Sequence, residues 1–484
     1  MRSAASNMFP WMKYWKHVIS ASLHSGVSRS EPRLYPPLVS FDPEKLKTLM
    51  CGLPAAHCYW VGFSGGLDST VLLSALAQQQ AYLSTRLRAI HVNHQLNPDA
   101  DIWEQHCRKI CAALNVPIEC RSVNVKLGKG QSLEAVAREL RYQIFRKLMH
   151  KNDLLMLAHH QDDQMETFLL QALRGAGLRG LAAMPMVTVF EPGYLARPLL
   201  GLTRQELQSW AEAQKLTWLH DPSNDDSRFD RNFLRREVIP VIKQRWPSAA
   251  ATVTRSAGHC GEALEMLGAV AAKDWECSVD AEGRVLSVTA LRKLGAVRAK
   301  NLLRYWLESL QLPLPPAHKL EQIVSEVLSA RADRNPCVSW EGAEVRRYRG
   351  QVYGLRPAPV AASHEFMLKL GSPKLLAAGM GSLRLAPALE GERLRTADYP
   401  SEGLRVRFRS GGEVCKPEGN AHHRPLKKWL QDLNVVPWMR ERLPLLYIGD
   451  QLAAVAGLFV CAPFAAGNDE PGLRIEWLMH PTLH

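Results

Sequence analysis

The chain has 484 residues, 46% of them hydrophobic and 22% charged, which allows about three domains of average size and an ample core. A formal net charge of +13 favours a polyanionic partner, RNA or DNA before a membrane surface. Ten cysteines with no C-x-x-C pair argue against a disulfide scaffold and a structural zinc or iron–sulfur site, and no apolar run reaches the ~18–20 residues of a membrane span.

Residues 1–45 stand apart. Within residues 1–40, Arg2, Lys13, Lys16, Arg29 and Arg33 face a single acid, Glu31, among many serines. A disordered extension is expected, and the same composition occurs in organelle transit peptides.

From residue 41 to about 151, short apolar runs alternate with longer periodic ones. Strands are predicted over 56–63, 86–92, 118–123 and 153–159, and helices over 69–78, 99–114 and 132–149. This alternation predicts an α/β catalytic domain over 46–245 with a parallel sheet, whose ligands sit at the carboxyl ends of the strands. Residues 250–355 read as a helical middle domain. The run P-A-P-V-A-A-S opens a linker over 357–370, and 371–484 reads as a small mixed α/β domain with one helix near 425–433.

The first strand runs into Ser64-Gly65-Gly66-Leu67-Asp68-Ser69 and then a helix. Glycines let backbone N–H groups approach an anion closely, and the helix adds its positive end. A Walker loop would need G-x-x-x-x-G-K-[ST], which is absent. Without that lysine the loop suits a pyrophosphate that leaves as a unit. Asp68 would repel that anion unless it holds Mg²⁺ or faces the other reactant. A plain glycine turn with a serine cap is the competing explanation.

The second motif is A-H-H-Q-D-D-Q-M-E-T, residues 158–167. The apolar stripe Met165, Phe168, Leu169, Ala172 and Leu173 predicts a helix with Asp162 or Asp163 at its start. Asp163 and Glu166 then share one side of its first turn. Arg174 and Arg179 flank a glycine loop, and Arg231 and Arg235 lie four apart on one helix face, where they could meet phosphate.

S-G-G-x-D-S resembles the signature of the PP-loop, or N-type, ATP pyrophosphatases, which split ATP into AMP and pyrophosphate. The ordered set is larger: H-V-N-H (91–94), E-A-V-A-R-E-L-R-Y (134–142), the H-H-Q-D-D motif, R-G-A-G-L-R-G-L (174–181), A-R-P-L-L (196–200) and D-P-S-N…R-N-F-L-R (221–235). Together these resemble the tRNA(Ile)-lysidine synthases, most strongly over 55–245. R-S-G-G-E (409–413), R-P-L-K-K-W-L (424–430) and V-P-W-M-R-E-R-L-P-L-L (436–446) resemble that family's carboxyl-terminal tRNA-binding domain.

The resemblance implies a PP-loop (adenine nucleotide alpha hydrolase-like) fold and a cytoplasmic ATP-dependent ligase. Its partners would be L-lysine and an isoleucine tRNA with a CAU anticodon, with no membrane and with room for a homodimer. It implies pyrophosphate binding by Ser64, Gly65, Gly66, Leu67, Asp68 and Ser69. Asp68, Asp163, Glu166, His159 and Arg231 are the candidate catalytic residues, with Mg²⁺ on Asp68 and Asp163. Glu134, Arg138, Arg141, Asp163, Glu166 and Arg235 are candidates for the lysine or nucleotide pocket. Glu134, Arg138 and Arg141 could equally form an ion network on a helix surface. Residues 401–445 hold nine Lys/Arg against five Asp/Glu; Arg405, Arg407 and Arg409 alternate as on one face of a strand, and with Arg424, Lys427 and Lys428 they are the candidate tRNA contacts. The competing readings are a tRNA thiolase of the same superfamily, disfavoured because no cysteine lies in the motifs, and a tRNA-binding protein with a decayed nucleotide site.

Overall fold

A computed structural model describes residues 41–80, 85–126, 133–222, 226, 228–280, 283–331, 334–357, 365–376, 379–467, 470–480 and 483, without the side chains of residues 43, 45, 49 and 134. The chain divides into two units, Met1–Leu267 and Gly268–His484. The extension expected over 1–45 falls outside the described residues up to residue 40.

In the first unit, α1 (Pro43–Cys51) leads to β1 (Cys58–Gly62), α2 (Leu67–Gln78), β2 (Arg86–Asn93), α3 (Ala100–Ala113), β3 (Ile118–Ser122) and α4 (Leu133–Leu148). Then come β4 (Leu154–Met156), α5 (Gln161–Leu173), α6 (Leu178–Leu181) and the hairpin of β5 (Val187–Phe190) and β6 (Gly193–Ala196). Helices α7 (Arg204–Ala213), α8 (Asp230–Phe233) and α9 (Ile239–Arg245) follow, the last two joined through a π turn over Leu234–Val238.

The sheet order is β3-β2-β1-β4-β6-β5, parallel throughout except for β5 at the edge. Strand β1 has β2 on one side and β4 on the other, with Tyr59 opposite Leu87 and Leu154. The connections depart in opposite directions from this pair, so a crevice opens at the carboxyl ends of β1 and β4. Consecutive residues of β1 feed the cores on the two faces of the sheet: Val61 packs with α2, α1 and α7, and Trp60 with Phe145, Leu155 and Leu195. Helix α2 is buried almost all round, from Leu67 to Leu76, because α1 and α7 cover the sides that the sheet leaves.

Helix α10 (Ala249–Glu276) carries the chain across the division between the units. In the second unit, β7 (Val285–Ser287) precedes α11 (Val288–Ser309), which bends at Gly295 (φ 75°), and α12 (Ala317–Gln322). Strands β8 (Cys337–Trp340), β9 (Ala343–Tyr348) and β10 (Gln351–Leu355) complete an antiparallel sheet of order β7-β10-β9-β8. The region read as helical therefore also carries a sheet. Its two-residue connections end on Gly342 (φ 78°) and Gly350 (φ 79°), which supply the left-handed backbone of tight hairpins.

The end of the chain holds a five-stranded and a four-stranded antiparallel sheet around the helix Leu426–Asp432. Strand Phe366–Leu368 pairs with Leu404–Phe408, so the sheet begins inside the stretch assigned to a linker. Residues 358–364 of that stretch lie outside the described residues. Val285, Tyr348 and Tyr353 share one apolar core with the end sheets, and Arg440 donates to the Tyr348 hydroxyl at 2.8 Å, so the second unit is continuous across the expected boundary. Among the described residues no helix is long and apolar enough to cross a membrane.

Candidate active site

The loop after β1 is held by its own hydroxyls. Ser69 Oγ accepts from the Ser64 amide at 3.2 Å, lies 3.1 Å from Ser64 Oγ and donates to the Gly66 carbonyl at 3.1 Å. Gly65 has φ 80°, and a Cβ there would meet Cys107 Sγ at 2.9 Å. That glycine is demanded by the fold. Gly66 is different: its φ is −76°, and a Cβ would meet only Ser64 Oγ at 3.5 Å. Nothing in the protein requires a glycine at 66, whereas an anion seated on the loop would. The Asp68 Oδ1 atom is buried with no partner among the described residues.

Strand β4 delivers the second motif to the same crevice. His160, not Asp162 or Asp163, is the N-cap of α5, and its amide donates to Asp163 Oδ2 at 3.1 Å. The strand ends at Met156, which leaves 157–160 free to turn before the helix. His160 is 2% exposed and lies among three carboxylates. Its Nε2 is 3.6 Å from Asp68 and 3.5 Å from Asp163, and its Nδ1 is 3.8 Å from Asp162. Burial disfavours the imidazolium, but Asp163, Asp68 and Asp162 outweigh it and raise the pKa. His160 thus bridges the two motifs. It was not among the candidates, although it stands beside His159, which was.

Asp163 and Glu166 meet Arg231 and Arg235. Glu166 is 1% exposed, and both its oxygens are engaged: Arg231 Nε at 2.7 Å, Arg235 Nε at 2.6 Å and Arg235 Nη2 at 2.9 Å. Asp163 Oδ1 accepts from Arg231 and Arg235, each at 3.1 Å. Burial opposes ionisation of Asp163, yet His160 and the arginines hold its pKa down to about 2. The helical spacing of Arg231 and Arg235 does place both on one partner, but that partner is a carboxylate.

His159 sits where the field of Asp163 meets those of Arg197, Arg231 and Arg138. Burial pushes its pKa down to about 3, so its imidazole is neutral, and its Nδ1 is buried without a partner among the described residues. Arg197, in the A-R-P-L-L motif, donates to the Pro185 carbonyl at 2.7 Å and leaves Nε buried and unpartnered among them. Arg138 donates to the Tyr142 hydroxyl at 3.1 Å, and Arg141 acts electrostatically on His94. The side chain of Glu134 lies outside the described residues. Lys243 pairs with Asp162, which also accepts from the Arg204 amide at 3.0 Å. A cavity of about 340 Å³ opens here, lined by His160, Asp162, Glu166, Arg204, Arg235 and Lys243. Neither Asp162 nor Lys243 was a candidate. The pair spans 81 residues, beyond any local spacing rule.

The buried polar atoms left without partners among the described residues include Asp68 Oδ1, His159 Nδ1 and Arg197 Nε. One anionic, one neutral and one cationic group fit a metal-bound nucleotide phosphate. For Mg²⁺ the fit differs between its two expected ligands. Asp68 has a free oxygen, whereas both oxygens of Asp163 are taken by His160 and the arginines. No cluster of three or more metal-ligating side chains occurs among the described residues. Mg²⁺ commonly relies on one or two carboxylates plus substrate phosphates, which Asp68 can serve.

In the second unit the expected tRNA contacts split. Arg405 pairs with Asp450 at 2.9 Å and Glu365 at 3.4 Å, Arg407 with Glu365 at 2.8 Å, and Arg424 with Asp432 at 2.9 Å. Arg409 does not continue the strand face. The strand ends at Phe408, Gly411 and Gly412 reverse the chain, and Arg409 turns in towards Glu413 at 3.4 Å. Lys427 and Lys428 point outward from the helix Leu426–Asp432.

Comparison with known proteins agrees with this division. Residues 42–242 match a PP-loop domain family, residues 286–353 the TilS substrate binding domain and residues 404–477 the TilS substrate C-terminal domain. A tRNA(Ile)-lysidine synthase of Coxiella burnetii is 40% identical over 442 residues, 90% of this chain and 96% of that protein. Proteins of the same name from Methylococcus capsulatus (37% identical, 89% of this chain and 99% of the relative) and Salmonella typhimurium (39%, with the same shares) are also similar. Among solved structures, a U34-tRNA thiolase from Methanococcus maripaludis aligns over 45% of this chain and 76% of its own, with 18% identity and a TM-score of 0.40.

Proposed function

The chain belongs to the tRNA(Ile)-lysidine synthase family and is an ATP-using PP-loop ligase, and from that premise we propose how its residues divide the work. The reaction joins free L-lysine to C2 of the wobble cytidine in isoleucine tRNA with a CAU anticodon. The C2 oxygen of cytosine is a poor leaving group. Its attack on the α-phosphate of ATP expels pyrophosphate and turns that oxygen into part of an AMP leaving group. The lysine ε-amine then adds at C2, AMP departs, and the ammonium proton passes to a base.

The observation that carries this reading is the pairing of β1 with β4, which sets the pyrophosphate loop and the acid–arginine cluster at one crevice, bridged by His160 between Asp68 and Asp163. The amides of Gly65 and Gly66, with Ser64, Leu67 and Ser69, cradle the pyrophosphate. Asp68 would hold Mg²⁺, which would offset charge on the triphosphate. Neutral His159, with Arg197 and Arg231, faces the α-phosphate, and no proton need leave the imidazole first.

Lysine enters the cavity beside Glu166 and Arg235. Its carboxylate meets a guanidinium of the cluster and its ammonium approaches Asp163, so the ligand's pairs add to the internal ones. A free lysine amine has a pKa of about 10.4, so a proton must leave it before attack; Asp163, held down to about 2, orients the ammonium but is too weak a base to keep that proton, which passes on to water. Glu166, buried and fully engaged, positions the arginines rather than taking that proton. The test is ATP, Mg²⁺ and labelled lysine with CAU isoleucine tRNA. Transfer of label with one AMP and one pyrophosphate per lysine supports the scheme. Pyrophosphate release without label would assign a different nucleophile.

A further inference from the structure

Asp162 and Glu166, one turn apart on α5, both line the cavity of about 340 Å³. Both carboxylates are paired, and the two pairs differ. Glu166 is gripped by Arg231 and Arg235 through three hydrogen bonds. Asp162 holds a single ammonium, that of Lys243, while its other oxygen accepts from the Arg204 amide at 3.0 Å. Burial opposes ionisation of Asp162, but Lys243 and that amide keep its pKa below the usual carboxylate range. Lys243 comes from α9, where Ile239, Pro240 and Lys243 share the face that lines the cavity. Its charge rides on a flexible four-carbon stem, and its side chain is 35% exposed against 11% for Asp162.

The cavity therefore already contains the functional group that the substrate carries. Lys243 and free L-lysine present the same primary ammonium on the same four-carbon chain. Exchanging one for the other keeps Asp162 paired and leaves the charge of the buried site unchanged, so no desolvated carboxylate is stranded. Ile239, Pro240, Ala250 and Ala251 supply an apolar wall for the methylenes. The acid is also well sited for delivery. His160 Nδ1 lies 3.8 Å from Asp162 and its Nε2 3.5 Å from Asp163, so an ammonium on Asp162 is one imidazole width from the acid that orients it for attack.

We propose that Asp162 is the entry site for the ammonium of the substrate lysine, and that Lys243 is an internal stand-in, which keeps this acid paired and yields it to the incoming amine. The inference rests on the lysidine-forming reading above, in which this cavity admits lysine, and goes beyond it by naming the acid that selects the side-chain amine. Norleucine, of the same length but without the amine, cannot displace Lys243 and is refused.

The test measures binding of labelled L-lysine to the full chain by equilibrium dialysis, which needs neither tRNA nor turnover. Lys243→Met keeps an unbranched stem and removes the competitor. Its Kd for lysine should fall roughly tenfold, the gain expected if Lys243 holds Asp162 about nine-tenths of the time. Lysine should also raise the Tm of that variant by more than it raises that of wild type, which a mere tie between α5 and α9 would not produce. Lys243→Arg, which preserves the pair with a two-pronged cation, should fold normally and weaken lysine binding about threefold. Adding Asp162→Asn to Lys243→Met should abolish the gain. An affinity for lysine that is unchanged or weakened in Lys243→Met, or unchanged in Lys243→Arg, overturns the proposal. So does norleucine bound as tightly as lysine, or a wild-type chain that binds no lysine. If lysine binds as predicted but no lysidine forms, the reaction scheme falls and the entry site stands.

Discussion

Arginine does two different jobs in the two units. In the first, Arg231 and Arg235 are drawn into a cluster whose carboxylates, Asp163 and Glu166, are nearly inaccessible to water. In the second, Arg405, Arg407 and Arg424 each lie against a surface acid that is itself at least two-fifths exposed. Removing one partner of a buried pair strands a desolvated charge, at a cost of ~3–5 kcal/mol, whereas surface pairs contribute little. The first arrangement is rigid and preorganised for chemistry. The second is cheap to break, so those arginines can release their acids and take phosphates.

The sharpest way to break this comparison is Asp163→Asn. It should lower lysine transfer by ~10³-fold or more while leaving the dissociation constant for tRNA within about threefold. Turnover near the wild-type rate would remove Asp163 from the mechanism. Glu166→Gln should lower both activity and stability, since two guanidiniums lose a buried anion. A drop in unfolding free energy of ~3–5 kcal/mol by denaturant titration is expected, and a wild-type midpoint would mean that the cluster is not preorganised.

His160 gives the pH test. Its pKa is raised in the folded protein by Asp163, Asp68 and Asp162 against the opposing effect of burial. Its stabilisation is therefore fully present below the ordinary histidine value of about 6.5 and fades as pH rises through the raised value. The gap in Tm between wild type and His160→Gln should narrow from pH 6 to pH 9. A gap that widened would contradict the assignment of the imidazolium.

The smallest effects belong to the second unit. Lys427→Ala with Lys428→Ala should weaken tRNA binding without regard to sequence and reduce the slope of log affinity against log salt by roughly 1–2. Arg405→Ala should shift Tm by no more than ~2 °C, as expected for a surface pair. A large loss of stability there would erase the distinction between the units.

Much of this was legible in the residues. The strand–helix alternation gave the parallel sheet, and the order of motifs gave the crevice, because loops at strand ends must gather there. Helical spacing put Asp163 with Glu166 and Arg231 with Arg235. What spacing could not supply was the pairing of those two helices across 65 residues, which gives both arginines carboxylate partners before any phosphate arrives. His160 was overlooked because a histidine between strand and helix reads as an ordinary polar turn until Asp68 is brought to it. The sheet of the second unit was missed despite a readable signal. The dipeptides Glu341-Gly342 and Arg349-Gly350 interrupt alternating apolar residues, the pattern of consecutive hairpins. The alternation of Arg405, Arg407 and Arg409 misled in the opposite sense, since the strand stops one residue short of Arg409.

The central claim is that one crevice both activates the cytidine with ATP and delivers lysine to it. It is tested most directly by incubating the full chain with ATP, Mg²⁺ and labelled lysine in two tubes, one with CAU isoleucine tRNA and one with methionine tRNA, which shares the anticodon. Label in the first tube only, abolished by Asp68→Asn and by Asp163→Asn alike, is the predicted result. Label that survives either substitution, or that enters both tRNAs equally, would contradict the account.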